Sequence, residues 1–306
     1  MLGAMVAEAV AVPACRARGL QRAELSMQWP QWVQPVASGG WQTAWREALA
    51  WADAVWLVAP ETAGELETLS REVEAAGRRL LSSSPAAVAV AASKSACHAA
   101  LAGRVRQPAD LDARDGWVVK PDDGVAAEGV RRLVSGRAGR PGQGLTGAEA
   151  VVAEPPPGHI VQPFVAGEAL SLCVLSDGDA ARVLSVNQQD MDWDADGAAR
   201  YCGGVSNARA DRDRFLPMAR AVQAAIPGLW GCWGVDLVLP SDGEAVLIEV
   251  NPRLTTAFAH LRAATGFCLL EALLALAAGR PLASLAEVPI GRAVAFRLAT
   301  ALEAAR

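Results

Sequence analysis

The stretch VDLVLPSDGEAVLIEVN, residues 235–251, holds two carboxylates and a side-chain amide that could share one cation. Asp242–Gly243 is a strong signal for a tight hairpin turn. A turn centred there puts Asp236 directly opposite Glu249, with Asn251 two residues on and so on the same face as Glu249. The residue across from Asn251 is Gly234, which leaves room beside the amide. Opposed residues in an antiparallel pair have Cα atoms about 4.5–5.5 Å apart, and like charges that close repel by about 0.2–1 kcal/mol. A shared cation reverses that sign. Two carboxylates and an amide oxygen are hard ligands that suit Mg²⁺, above all Mg²⁺ carried on nucleotide phosphates. A solvated outer face bearing two acids would read the same way, but Val238 and Leu247 share the acidic face and imply partial cover. The other face (Val235, Leu237, Leu239, Val246, Ile248 and Val250) is wholly apolar and must be buried.

The chain has 28 basic side chains, of which only Lys94 and Lys120 are lysine. Lys120 ends the apolar run WVVKP, where a lysine can reach for water along its stem. The choice of lysine at two places in an arginine-rich chain asks for a reason. A net charge of -5 and a pI near 5.4 argue against a general binder of nucleic acid or anionic membrane. At 306 residues, 52% hydrophobic and 20% charged, the chain is long enough for a sizeable core and more than one domain. No apolar run reaches transmembrane length. The opening MLGAMVAEAVAVPACRARGL has no basic segment followed by an apolar one and a cleavage site, so it reads as an amphipathic helix and not as a signal peptide. The six cysteines are scattered with no Cys-x-x-Cys spacing, which points to reduced thiols in the cytoplasm and not to zinc or disulfides. The three histidines are isolated, so nucleophilic catalysis through a histidine has little support.

These residues need elements to position them. VWLVAP (55–60) reads as a short buried strand, and ETAGELETLSREVEAAG follows as a helix with acids in its first turn and Gly77 at its end. RRLLSSS is another short strand. Residues 1–92 therefore read as a small open α/β, Rossmann-like domain that lacks a first strand, since the chain opens on a helix. Residues 93–103 form a helix closed by Gly103, GWVVKP a strand, and DDGVAAEG a loop. The stretch 135–158, rich in Gly and Pro, is loop. HIVQPFVAGEALSLCVLSDG reads as two strands around Gly167, and ARVLSVNQQD as a further strand. A disordered-looking MDWDADGAAR comes next, then an Asp-started helix (DRDRFLPMARAVQAAIPG), the acidic hairpin, and an apolar helix over 267–279. Strands and helices do not alternate strictly after residue 93, which predicts α+β architecture there.

The ordered set of Lys94, Lys120, VQPFVAGE, Asp236 and EVNPRL resembles the ATP-grasp ligases, over about residues 93–275. The resemblance implies two α+β subdomains, 93–160 and 161–306, clasping ATP behind the small N-terminal domain. It implies that Lys94 and Lys120 touch nucleotide phosphates. A lysine is a compact charge on a flexible stem and fits a crowded phosphate, whereas the planar fork of arginine needs more room. DDGVAAEG looks like the loop that covers the phosphates, although Ala126 and Ala127 make it poor in glycine. In the hinge segment, Gln162, Pro163, Phe164 and Val165 would line the adenine pocket, and Glu168 would hold the ribose hydroxyls, or else be an exposed turn acid. Asp236, Glu249 and Asn251 would hold one or two Mg²⁺ ions, with Mn²⁺ as the substitute. Arg253 would reach the transferred phosphate or the acyl phosphate, or else make a surface pair at a helix start.

The implied reaction joins a small-molecule carboxylate to a small-molecule amine through an acyl phosphate, releasing ADP and phosphate. The implied catalytic residues are Arg253 and Lys120. VNQQD (186–190) and YCGG (201–204) are candidate acceptor segments, with Asn187, Gln188 and Gly203 facing the substrate, or else ordinary polar strand ends. LSVNQQ, YCGG and EVNPRLTT look most like the tyramine–L-glutamate ligases of methanofuran and methylofuran assembly. A ligase for another amino-acid and amine pair, and a catalytically idle nucleotide-binding protein, stay open. The expected partners are small molecules, with neither nucleic acid nor membrane, and a homodimer is left open.

Overall fold

The computed structural model of the chain describes residues 1–13, 15–23, 30–133, 152 and 155–298. Helix α1 (Leu2–Val10) packs far down the chain and not in the N-terminal unit. Met1, Ala4 and Met5 lie on a core built by residues 254–285. The buried Glu8 carboxylate accepts the Leu270 N–H at 3.0 Å and faces Arg262 at 3.4 Å. The N-terminal unit does have early strands. β1 (Gly19–Arg22) and β2 (Val33–Val36) pair in parallel ahead of α2 (Trp41–Trp51). The absent strand expected from the opening helix is therefore corrected, because that helix belongs to another core. In VWLVAP only the first residue falls in a strand, β3 (Ala54–Val55). α3 (Glu65–Ala75) leads to β4 (Arg79–Leu80), which pairs with β3 in parallel. Beyond β3 the run has no ladder, and alternate residues are buried, Leu57 and Ala59 against Leu66, Val73 and Val88, while Val58 is exposed. Helices α4 (Pro85–Ala92) and α5 (Lys94–Leu101) start on Ser84 and Ser93, whose hydroxyls accept the N–H of Ala87 and Ala96.

Two antiparallel sheets follow. The smaller has order β6-β5-β7, from β5 (Trp117–Pro121), β6 (Arg131–Leu133) and β7 (His159–Pro163). Most of the 135–158 stretch lies outside the described residues. The larger has order β12-β11-β8-β9-β10-β13. Its members are β8 (Glu168–Ser176), β9 (Ala181–Trp193), β10 (Ala199–Arg209), β11 (Gly231–Leu239), β12 (Val246–Asn251) and β13 (Val294–Arg297). α6 (Leu216–Ala225) precedes β11, and α7 (Phe258–Thr265) and α8 (Leu269–Ala277) follow β12. β7 and β8 are not a hairpin around Gly167. Residues 164–167 carry the chain from one sheet to the other.

β8 shows why the large sheet sits where it does. Leu170, Leu172 and Val174 enter a core with α4, α5 and α6, while Cys173 and Leu175 enter the core of α7 and α8. A strand apolar on both faces must be covered on both. β9 and β10 pair out to Trp193 and Ala199, so the segment expected to be disordered is two strands and a turn. Asp194 ties that turn, its carboxylate accepting the N–H of Asp196 and Ala198 at 2.9 and 2.8 Å. Among the described residues no single helix is long and apolar enough to cross a membrane.

Candidate active site

β11 and β12 bring Asp236 opposite Glu249 and Gly234 opposite Asn251, the expected register. The room beside Gly234 is taken by Thr255, whose methyl group a Cβ would strike. Past Glu249 the register shifts by one residue, so Leu237 faces Leu247 and not Ile248. This bulge moves Leu247 into the core with Leu237, and Ile248 into the wall of the site. The expected apolar face is corrected at those two positions. The turn is looser than Asp242–Gly243 implied, because Arg106 binds Asp242 Oδ2 at 2.9 Å and Arg214 donates to the Gly243 carbonyl at 2.6 Å.

The two acids fit a hard divalent cation. Asn251 donates its amide hydrogen to Asp236 Oδ2 at 3.0 Å, which leaves its oxygen for a cation, and Gln189 donates to Asp236 Oδ1 at 3.0 Å. Burial, and then the Glu249 charge opposite, push the Asp236 carboxyl well above the usual carboxylate range. Among the described residues no group of three His, Cys, Asp or Glu could hold a metal, so two carboxylates and an amide are the donor set here. A cation must displace the Asp236 proton. Affinity for Mg²⁺ is therefore expected to climb, by about tenfold per pH unit for one proton displaced, from the ordinary carboxylate range up to the raised value. Calorimetry in two buffers of different ionisation enthalpy checks it, and Asp236→Asn should flatten the slope. Without the cation the sign is opposite. The native chain keeps a proton that the unfolded chain has released, so stability falls as pH rises through that window.

Lys94 and Lys120 converge on the acids from α5 and β5. Lys94, 5% exposed, donates to the carbonyls of Gly124 at 2.7 Å and Asp122 at 3.3 Å and lies 3.8 Å from Glu249. Lys120, 3% exposed, donates to the Ile248 carbonyl at 3.4 Å, the residue that the bulge exposes. Burial pulls its ammonium down to about 8, against the pull of Glu249. Asp122 holds the frame, accepting from Ser93 Oγ at 2.6 Å and the Ser95 N–H at 2.7 Å. In the loop after Lys120, Ala126 and Ala127 take φ of 54° and 62°, the left-handed backbone that glycine usually supplies.

These groups line one cavity of about 530 Å³ between the two sheets. Gln162, Phe164, Val165 and Glu168 line it on the hinge side, while Pro163 is not in the wall. The buried Gln162 Oε1 has no hydrogen-bond partner among the described residues. Glu168 is held by Arg209 at 3.0 Å. Phe164 meets Trp193 edge to face at 5.6 Å, with the Arg132 guanidinium 3.8 Å over its ring. Arg253 is also in the wall, and its guanidinium pairs with Glu61 at 2.8 Å.

The acceptor candidates divide. Gln188 lines the cavity. Asn187 does not: it is 1% exposed, and its amide bridges the Ser171 carbonyl at 3.1 Å and the Asn207 N–H at 2.9 Å. It fills the gap where β10 breaks register near Asn207, which has φ of 55°. Gly203 is also outside the wall. Cβ atoms at Gly203 and Gly204 would drive into the carbonyls of Phe296 and Gln188, so YCGG lets β10 close between its neighbours. Gln189 and Tyr201 are wall residues that the sequence reading passed over. Strand alternation was a signal for Gln189, since it shares a face with Asn187. Tyr201 is the only tyrosine, and burial and then Asp236 push its phenol up.

The ATP-grasp domain model matches residues 91–257, and the pre ATP-grasp 3 domain model matches 24–88. An ATP-grasp superfamily protein from Archaeoglobus fulgidus is 26% identical, with a TM-score of 0.67 over 89% of this chain and 80% of that one. The L-amino acid ligase of Bacillus licheniformis is 17% identical, with a TM-score of 0.60 over 88% of this chain and 69% of that one. The biotin carboxylase domain of Hydrogenobacter thermophilus 2-oxoglutarate carboxylase, solved with MgADP, ADP and bicarbonate, is 14% identical with a TM-score of 0.61. It aligns with 82% of this chain, which spans 60% of its length. No curated protein sequence matches.

Proposed function

The chain belongs to the ATP-grasp family of ATP-dependent ligases, and from that membership we propose that it joins a carboxylate to an amine through an acyl phosphate. The observation that supports this most is the meeting of Lys94, Lys120, Asp236 and Glu249 in one cavity. Adenine would lie against Val118, Gln162, Phe164 and Val165, with the Gln162 oxygen for its amino group and Glu168 at the ribose. Lys94 and Lys120 would take the phosphates, and a phosphate beside Lys120 holds its proton on. Asp236, Glu249 and Asn251 would hold Mg²⁺, which when bound offsets phosphate charge as the γ-phosphoryl group moves. A substrate carboxylate oxygen attacks the γ-phosphorus and ADP leaves. The amine then attacks the acyl carbon, phosphate leaves, and one proton is lost. The work of the chain is positioning and charge stabilisation. No general base is required if the amine arrives neutral.

The substrate reading is L-glutamate, activated on its side chain, and tyramine, giving γ-glutamyltyramine. It rests on VNQQ, YCGG and NPRLTT. The mixed wall of Gln188, Met191, Trp193 and Tyr201 supports a ring-bearing amine, because an aromatic ring favours an apolar and aromatic wall. The likeness to an L-amino acid ligase keeps two amino acids as the second pair to try. The expected result is ADP and phosphate released only when acid and amine are both present, with the amide identified by mass spectrometry. AMP and pyrophosphate as products would rule out acyl-phosphate chemistry. Turnover with another pair, and none with glutamate and tyramine, would keep the ligase and discard the pair. A chain that binds Mg·ATP but turns over no pair would be a nucleotide-binding protein.

A further inference from the structure

We propose that Glu61, from the N-terminal domain, is a positioning residue that aims Arg253 at the terminal phosphate of the nucleotide. This rests on the nucleotide reading above. Arg253 donates from Nε to Glu61 Oε2 at 2.8 Å and from Nη1 to the Leu254 carbonyl at 3.0 Å, and its Nη2 lies 2.8 Å from the same Glu61 oxygen. A guanidinium has five N–H groups. Even with one N–H on each nitrogen turned to these partners, each terminal nitrogen keeps at least one. A pair of N–H groups on one fork is the arrangement that grips a phosphoryl group through two oxygens. Arg253 lies in the cavity wall, two residues past the cation ligand Asn251. The pair is therefore a brace with a free end, and not a cation neutralised and out of use.

The loop that carries Glu61 is itself fastened to the site. The Ala63 N–H donates to Asp123 Oδ2 at 3.1 Å, and Thr62 Oγ1 to the Asp123 carbonyl at 3.3 Å. Asp123 follows the residue that frames Lys94 and opens the loop over the phosphates. Ala63 has φ of 55°, a left-handed backbone that an alanine keeps only where its surroundings hold it. Glu61 is 5% exposed. A buried ion pair is weak evidence for stability, and fixed geometry is its better-attested use. Residues 61–63 thus tie Arg253 and the root of the phosphate loop to a single short segment.

The test compares Mg·ADP with Mg²⁺ and the imido analogue of ATP, by calorimetry on the full chain. Glu61→Gln keeps the shape and removes the charge, and Glu61→Asp keeps the charge on a shorter stem. Glu61→Gln should weaken the analogue by about tenfold while ADP affinity holds, the scale of one charged hydrogen bond lost. Glu61→Asp should recover part of that loss. Glu61→Gln combined with Arg253→Ala should bind the analogue no worse than Arg253→Ala alone. An unchanged analogue-to-ADP ratio in folded Glu61→Gln protein overturns the proposal, as do additive losses in the double variant. A ratio that improves would make Glu61 a restraint on Arg253, and also overturns it. Should Glu61→Gln not fold, the Glu61→Asp ratio decides in the same way. A parent chain that binds neither nucleotide overturns the nucleotide reading along with this one.

Discussion

Glu249→Gln protein is expected to turn over roughly a hundredfold more slowly than its parent while folding as well or better, the scale on which removing one stabiliser of transition-state charge is felt. The amide has the shape of the acid. What it removes is a charge directly across the hairpin from Asp236, whose carboxyl that charge helps to push up. Relieving like charge in the empty site should leave thermal stability unchanged or slightly raised. With the cation, the balance reverses, because one of two carboxylate ligands has become neutral. The midpoint of a magnesium titration should move to higher concentration, and the plateau should stay low because Lys94 has lost its charged neighbour. Steady-state ADP release across that titration measures both. Parent-like turnover at every magnesium concentration would mean that the hairpin acids are surface charge and nothing more.

Lys120→Met should give the sharpest separation of stability from activity. Burial draws the Lys120 ammonium from 10.5 to about 8, so the folded chain carries a charge it disfavours by about 3 kcal/mol at neutral pH. Below about pH 8 both folded and unfolded chains hold the proton and the cost is constant. Between about 8 and 10.5 the folded chain has released it and the unfolded chain has not, so stability rises with pH. Methionine keeps much of the stem and carries no charge to bury. The variant should melt higher than its parent at pH 7, lose the rise above pH 8, and turn over roughly a hundredfold more slowly for want of a cation on the phosphates. Lys120→Arg keeps the charge but must fit a larger planar group beside Cys97, Lys94 and Ile248. It should also lose turnover, and Lys94→Arg should behave alike. A fully active double Lys→Arg protein would make both lysines incidental.

What was legible in the sequence divides along a physical line. Residue type carried Lys94, Lys120, Asp236 and Glu249, because lysine is scarce in the chain and acids are scarce in the hairpin strands, while Gln162 was named through the resemblance alone. Turn chemistry carried the pairing of Asp236 with Glu249 but not the bulge beyond it. The turn next to it is held by Arg106 and Arg214 from distant elements, which no local pattern records. Asn187 looked available because asparagine is polar, but an irregular stretch of β10 uses it as a substitute for missing backbone partners. Glu61 was read as one of several acids in a helix's first turn, but it lies four residues before α3 begins. Its partner is Arg253, 192 residues later. β1 and β2 were missed, since strands of four residues leave little periodic pattern, whereas the runs holding β3 and β4 were read as strands.

The bulge at Ile248 also divides the hairpin into two units of inheritance. On the sheet side, Gly234 to Asp236 pair with β8 on one edge and with Glu249 to Asn251 on the other. On the turn side, Leu237 and Val238 keep their register with β8 but meet β12 one residue out of step. A lineage that gains or loses a residue in the turn can absorb it there by moving the bulge, and the cation ligands need not exchange faces. A strict ladder would offer no such latitude, because every slip by one residue turns each side chain over. The turn is therefore where length can drift among descendants of this chain, and the segment beyond the bulge is where it cannot.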